Sequence, residues 1–470
     1  MSWRSTFILT VLAALIVLLV WLTQPGDASG GRGGSTDTAL PGVAEMPAEE
    51  VTRIELRYRD GRAMSFERDG RNWRQTEPFA YPLDAYRIRQ LVTAAREVRV
   101  YDRIDAASFS EEFTPAGLGL EPGEVRIRYG WAGGEVEYAL GRRGIGGRAY
   151  IRAVEDDGIF VASQQMHERI LETDPREWRD RTLFRDVSIE LDRIVREEGS
   201  ARIVIERDRR EWFLREPVAT RADRERIEEY MMGLAGARAG GFVLDEPGDL
   251  ARFGLHAPAG RIEIVGSRLV PRSDRSSAND DADDHDDLVR FAFTQGLLVG
   301  SPAGGGTQDR YGKLEGSPAV LRLPARTIVR LFAPLSELVD PTGTGARAAD
   351  VRRLRIDGPT GAFHLERDLN RWIAPDHDDR RVSTEDVEEL LEQVTTLRAP
   401  ELVVSEYPQE LHVASITLFG FDRRPLDTVR VAYDPDLQRW AFENGDNVLR
   451  VQGPGFQIKL SPDEFGLPGD

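Results

Sequence analysis

The chain of 470 residues contains no cysteine. That excludes disulfides, thiolate metal sites, a cysteine nucleophile and lipid attachment through an N-terminal cysteine. Histidine is scarce: His167, His256, His285, His364, His377 and His412 are the six, and none falls into H-x-x-x-H or H-E-x-x-H. No serine sits in a G-x-S-x-G elbow. Positive charge is in deficit. Lysine and arginine number 62 against 80 aspartates and glutamates, a net charge of -18. Proteins that bind nucleic acid use basic patches to displace counterions from phosphate, so nucleic acid is not an expected partner. What is present suits folded matter: 40% apolar and 30% charged residues, with length for two to four domains.

Residues 7–22, FILTVLAALIVLLVWL, form one uncharged apolar run bracketed by Trp3 and Trp21. On a helix those indoles lie roughly 27 Å apart, close to the thickness of a bilayer core. Indoles favour the headgroup interface, and the only nearby positive charges, Arg4 and the terminal amine, lie on the amino side. Residues 1–24 are therefore expected to anchor the chain in the cell membrane, amino terminus cytoplasmic and everything after it extracytoplasmic. A cleaved signal peptide is the rival, with small residues at Gly26-Asp27-Ala28. The length of the run and its minimal charged flank favour the uncleaved anchor. Residues 25–50 begin with the glycine-rich PGDASGGRGGSTDTALPG and read as a flexible linker.

One phrase occurs three times: FERDGRNW (66–73), IERDRREW (205–212) and LERDLNRW (365–372). Aligned on Trp73, Trp212 and Trp372, the copies agree well beyond it. Each tryptophan follows a predicted hairpin; in the first copy RIELRY and AMSFERD flank Asp60-Gly61. It opens a third strand, ended by Pro78, Pro217 or Pro375. Eleven residues on comes a helix N-cap candidate, Asp84, Asp223 or Ser383. Apolar residues then follow at shared helical offsets: Ile88, Leu91, Val92, Ala95, Val98; Ile227, Tyr230, Met231, Leu234, Ala237; Val387, Leu390, Leu391, Val394, Leu397. Alternating strands ending in glycine come next (123–130, 259–266, 413–420). A Gly-Leu pair precedes the first two, Gly119-Leu120 and Gly254-Leu255.

The fold class is thus α+β: an N-terminal transmembrane helix, then three tandem β-β-β-α-β-β-β repeats with antiparallel sheets. Expected repeats span 51–185, 188–340 (with an acidic insertion at 271–287) and 351–470. Their spacing is that of domains, not of a solenoid.

Polar motifs are read first as structure. Alternation along a strand puts Glu67 and Asp69 on one face and Arg68 opposite, the aspartate serving the turn and the arginine solvated. The run NDDADDHDD (279–287) is rich in oxygen ligands, and His285 could add a nitrogen, but it lacks the spacing and turn glycine of an EF-hand. It reads as a solvated hairpin insertion. GRRGIGG (141–147) lacks the Lys-Ser/Thr of a phosphate loop and, like AGGGTQ (303–308), reads as a hairpin connection. The three tryptophans read as plugs between sheet and helix, with a sugar- or partner-stacking platform as the alternative. No catalytic, cofactor or metal residue is assigned, and no cofactor is expected.

The anchor, the tryptophan-centred hairpin, the Gly-Leu strand, Tyr150-Ile151-Arg152 and WRDRTLF (178–184) together resemble the bacterial domain-of-unknown-function family 4340. Its members are cell-envelope proteins often encoded beside gliding-motility-type ABC transporter components. The resemblance implies an auxiliary role beside a transporter; with no nucleophile–base constellation in the sequence, the chain is expected to be a membrane-anchored binding or scaffold protein rather than an enzyme. Its expected partners are membrane transporter subunits or other envelope proteins, and the lipid bilayer through residues 7–22. A periplasmic module binding a glycan or peptide is the alternative, and a metal-assisted enzyme the third reading.

Overall fold

The computed structural model describes residues 39–468, apart from 111–112, 186, 188–190 and 272–287; of 269–271, 288 and 289 it describes the backbone alone. The expected anchor, the first part of the linker and the acidic run with His285 lie outside the described residues. Among the described residues no helix is long and apolar enough to cross a membrane. By internal packing the chain divides in two: residues up to Pro78 with Ala85–Asp174, and Phe79–Asp84 with Pro175–Asp470.

Three antiparallel sheets follow one another along the chain. The first contains β1 (Arg53–Tyr58), β2 (Ala63–Asp69), β3 (Asn72–Glu77), β4 (Tyr81–Leu83), β5 (Val100–Ile104), β6 (Val125–Trp131), β7 (Gly134–Arg143), β8 (Arg148–Ala153) and β9 (Ile159–Ser163). Their order is β4-β3-β2-β1-β6-β7-β8-β9-β5. The second contains β10 (Leu191–Glu198), β11 (Ala201–Asp208), β12 (Glu211–Glu216), β13 (Thr220–Arg221), β14 (Gly241–Leu244), β15 (Gly260–Pro271), β16 (Leu288–Pro302), β17 (Arg310–Leu314) and β18 (Val320–Leu323). The third contains β19 (Arg353–Gly358), β20 (Gly361–Asp368), β21 (Arg371–Ala374), β22 (Arg380–Val382), β23 (Glu401–Val404), β24 (His412–Phe419), β25 (Pro425–Asp434), β26 (Arg439–Glu443) and β27 (Val448–Val451). Both repeat the order of the first. Nine strands per sheet correct the six expected. A short strand (β4, β13, β22) precedes each helix, and another (β5, β14, β23) follows it and pairs at the far end of the sheet.

One long helix crosses each repeat: α1 (Ala85–Arg96), then, after the short α2 (Gln165–Ile170), α3 (Arg224–Ala235), and, after α4 (Ala325–Leu331) and α5 (Leu335–Leu338), α6 (Thr384–Thr395). The predicted stripes are buried, save Leu397, which lies past the end of α6 and is 38% exposed. Asp223 and Ser383 cap their helices, accepting from the N–H groups of Arg226 and Asp386. Such caps are worth about 1 kcal/mol each. The indoles of Trp73, Trp212 and Trp372 are all buried.

The repeated phrase sets a hairpin register. Its arginine stands directly across from its tryptophan in every copy: Arg68 from Trp73, Arg207 from Trp212, Arg367 from Trp372. The turn between them passes through a left-handed residue each time, Gly70, Arg209 or Leu369. The expectation of an outward, solvated arginine is therefore corrected. Arg68 shares its face with buried Met64 and Phe66 and donates to the Gly70 carbonyl at 2.9 Å, while Arg367 lies over the Trp372 ring at 5.7 Å.

The Gly-Leu pair proves to be a backbone device. Gly119 and Gly254 adopt φ values of +73° and +66°, open to glycine at little cost. They deliver buried Leu120 and Leu255 against a glycine on the facing strand. A Cβ on that glycine, Gly141 or Gly300, would strike the carbonyl oxygen of Leu118 or Phe253 and the neighbouring leucine.

Residues 39–50, expected to belong to a flexible linker, are instead packed. Leu40, Val43 and Met46 are buried, and the Tyr138 hydroxyl donates to the Pro41 carbonyl at 2.7 Å. Residues 39–50 are packed because these apolar side chains recur every third position through a run of turns.

Within the second unit a connecting segment makes the same bonds twice. Asp180 Oδ1 accepts from Thr182 N and Oγ1 (2.9 and 2.7 Å), and Asp340 Oδ1 does the same with Thr342. Behind each aspartate the chain bonds back to a helix start: Asp84 N donates to Trp178 O, and Asp223 N to Leu338 O, both at 2.8 Å. Ahead of it, Ala239 N donates to Arg181 O and Ala399 N to Pro341 O. Within the second unit the connection at 338–341 thus fastens the start of α3 to the loop after α6.

A buried arginine completes each fastening. Arg179, 1% exposed, meets Asp245 with two hydrogen bonds (2.6 and 2.9 Å) beneath the rings of Phe79 and Phe242. Arg450 is wholly buried. It donates to Asp446 (2.7 and 3.1 Å), to the carbonyls of Asp340 and Val448 (both 3.0 Å) and to the Thr220 hydroxyl (3.3 Å). Burial works to raise the Asp446 carboxyl, but the bonds and charge of Arg450, aided by Thr220, hold it below the usual carboxylate range.

Candidate functional site

The polar motifs do not converge. Glu67 and Asp69 are exposed at the first hairpin turn. Their counterpart Glu206 pairs with Arg193 and Arg215, and Asp368 with Arg371. GRRGIGG and AGGGTQ fall at the β7–β8 and β16–β17 connections. Among the described residues no group of three or more His, Asp or Glu side chains could hold a metal.

The described histidines are dispersed. His256 is exposed, His364 Nδ1 lies 2.6 Å from Asp376, and His412 Nδ1 lies 2.7 Å from the Tyr407 hydroxyl. His167 is wholly buried on α2, with Nε2 3.0 Å from the Gly141 carbonyl. Burial pushes its imidazole down to about 4, against the pull of that carbonyl.

Two clefts stand out where the copies differ. The first lies between α1 and α2, about 650 Å³, walled by Tyr86, Arg89, Gln90, Thr93, Glu97, Gln165, Glu168 and Arg169. It is polar and mixed in charge.

The second cleft, about 540 Å³, lies where the β11–β12 turn meets α3. Its floor is apolar: Trp212, Met231, Met232 and Ala235. Four arginines surround it, Arg207 and the turn residues Arg209 and Arg210 on one side and Arg224 at the helix start on the other. Among the described residues Glu228 is the only acidic side chain lining it, and it faces Arg224 at 3.0 Å. Arg207 reaches Asp192 at 3.3 Å. Arg209 and Arg210 are exposed and form no ion pair among the described residues. In a protein of net charge -18 this is a local inversion of sign.

The third repeat shows the same position filled. Glu388 stands sixteen residues after Trp372, as Glu228 stands after Trp212. Its carboxylate lies 3.4 Å from the Trp372 indole N–H and 3.5 Å from the Arg367 guanidinium. Trp372 is then wholly buried, whereas Trp212 keeps 8% of its surface and its indole N–H has no partner among the described residues. The one legible sign of this site in the sequence is the arginine pair at the turn of the second copy, where the others read Gly-Arg and Leu-Asn.

Three antiparallel nine-stranded sheets in tandem, each with a plugged hairpin and a crossing helix, define a tandem-repeat α+β protein. Residues 73–211 and 212–415 each match the family described as Domain of unknown function (DUF4340), and the chain belongs to that family. Both matched stretches begin on the hairpin tryptophan, the residue that sets the register of the copies. No curated protein matches the chain.

Proposed function

We propose that the chain is a membrane-anchored, extracytoplasmic binding and scaffold protein without enzymatic activity, an accessory of an ABC-type transporter or another envelope complex. The observation that carries this reading is the doubled fastening of the second unit. Linker bonds and the buried, hydrogen-bonded Arg450 hold the second and third repeats together, as suits a protein that holds surfaces in register. The apolar run at 7–22 would place those surfaces outside the membrane.

The test is purification of the full chain from its own membranes in mild detergent, with mass spectrometry of what accompanies it. Recovery of transporter membrane subunits supports the reading; a chain that elutes alone at low salt opposes it. A second reading, binding of a glycan or peptide in the periplasm, is favoured by the polar cleft between α1 and α2, where Tyr86 is 64% exposed amid amide, hydroxyl and charged groups. Thermal stabilisation by an added oligosaccharide, lost on Tyr86→Ala, would support it.

A further inference from the structure

We propose that the cationic cleft of the second repeat docks an acidic, amphipathic peptide segment of a partner polypeptide, one carboxylate of which takes the place that Glu388 fills in the third repeat. This rests on the binding-scaffold reading and names the chemistry of the partner.

The third repeat supplies the template. There a carboxylate from the chain itself sits between the arginine and the tryptophan of the repeated phrase. In the second repeat the equivalent Glu228 is turned to Arg224, and the Trp212 indole N–H lacks a partner among the described residues. An incoming carboxylate would find that N–H and the guanidinium groups of Arg209 and Arg210, which form no ion pair among the described residues. Charge-assisted bonds of this kind are roughly twice as strong as neutral ones.

The floor dictates the rest of the ligand. Trp212, Met231 and Met232 offer an aromatic edge and two pliable thioethers, and Met232 is 67% exposed. Methionine surfaces accommodate varied aliphatic and aromatic side chains. A segment carrying acidic groups beside large apolar ones satisfies both rim and floor. A membrane surface does not fit as well, because lipid phosphates would meet the arginine rim without an apolar side chain to cover Trp212, Met231 and Met232.

The experiment probes the full chain in mild detergent against an array of random-sequence peptides. Retained peptides should be enriched in Asp and Glu next to Leu, Ile, Met or Phe, and raised salt should weaken them. Arg209→Glu combined with Arg210→Glu should lower their affinity roughly tenfold or more, and the paired lysine substitutions should keep most of it. Both positions are exposed, so an unchanged thermal melt separates lost binding from lost folding. A retained set without acidic bias would overturn the proposal, as would an acidic set indifferent to the charge reversal, or no retained peptide. Arginine-dependent binding to phosphatidylglycerol vesicles without peptide binding would overturn it in favour of a lipid. The readout depends on neither insertion of the anchor in a membrane nor a transporter, so its failure is distinguishable from failure of the co-purification.

Discussion

Replacing Arg450 by methionine should destabilise the second unit more than any surface change could. The side chain is wholly buried and donates to Asp446, Thr220 and the carbonyls of Asp340 and Val448. Methionine fills much of the volume but leaves the Asp446 carboxylate, only 11% exposed, without its cation. Removing one partner of a buried ion pair costs about 3–5 kcal/mol. At roughly 2–4 °C per kcal/mol, the transition should fall by about 6–20 °C. Urea titration of the full chain gives the loss, and hydrogen exchange at α3 and α6 shows whether modules on both sides of the fastening loosen. Substituting both partners, Arg450→Met with Asp446→Leu, should recover a large part of the loss, because no charge is then left buried alone. A single variant within about 0.5 kcal/mol of the parent, or a double variant as poor as the sum of the singles, would refute the reasoning.

Three other perturbations follow from the fold. His167 is neutral when folded down to about pH 4, whereas the unfolded imidazole takes a proton near 6.5. Its contribution is therefore complete above pH 6.5 and lost as pH falls towards 4, by up to about 3 kcal/mol; His167→Gln should flatten that part of the stability profile, and an unchanged slope would contradict the assignment. Gly300→Ala should cost about 1–3 kcal/mol by overpacking, since its Cβ meets the Phe253 carbonyl and Leu255, and a neutral result in thermal melts would mean the approach is looser than described. Leu40→Ala should cost about 2–5 kcal/mol in urea titration if residues 39–50 are packed, and nothing if they are tether.

The helices and hairpins were legible because each advertises itself locally. Stripes such as Val387-Leu390-Leu391-Val394 leave one face to bury, and the repeated Glu-Arg-Asp…Trp carries its register in its spacing. The short strands were not: Thr220–Arg221 is two residues long, and Val100–Ile104 is mostly exposed and pairs with β9 across some sixty residues of chain. The Arg450–Thr220 contact spans 230 positions and leaves no local periodicity to read. The candidate cleft lay hidden for a subtler reason. Glu228 and Glu388 share an identity and an offset but differ in side-chain direction, so beyond the Arg209-Arg210 pair nothing in the sequence separates an open cleft from a filled one.

On the proposed reading the protein holds a partner at a surface where its copies differ. The most direct test compares the parent and the Arg209→Glu, Arg210→Glu chain, expressed at equal levels and purified from membranes side by side. A partner polypeptide that accompanies the parent and is depleted from the variant is the predicted result. The same companions in both preparations, or none in either, would contradict it.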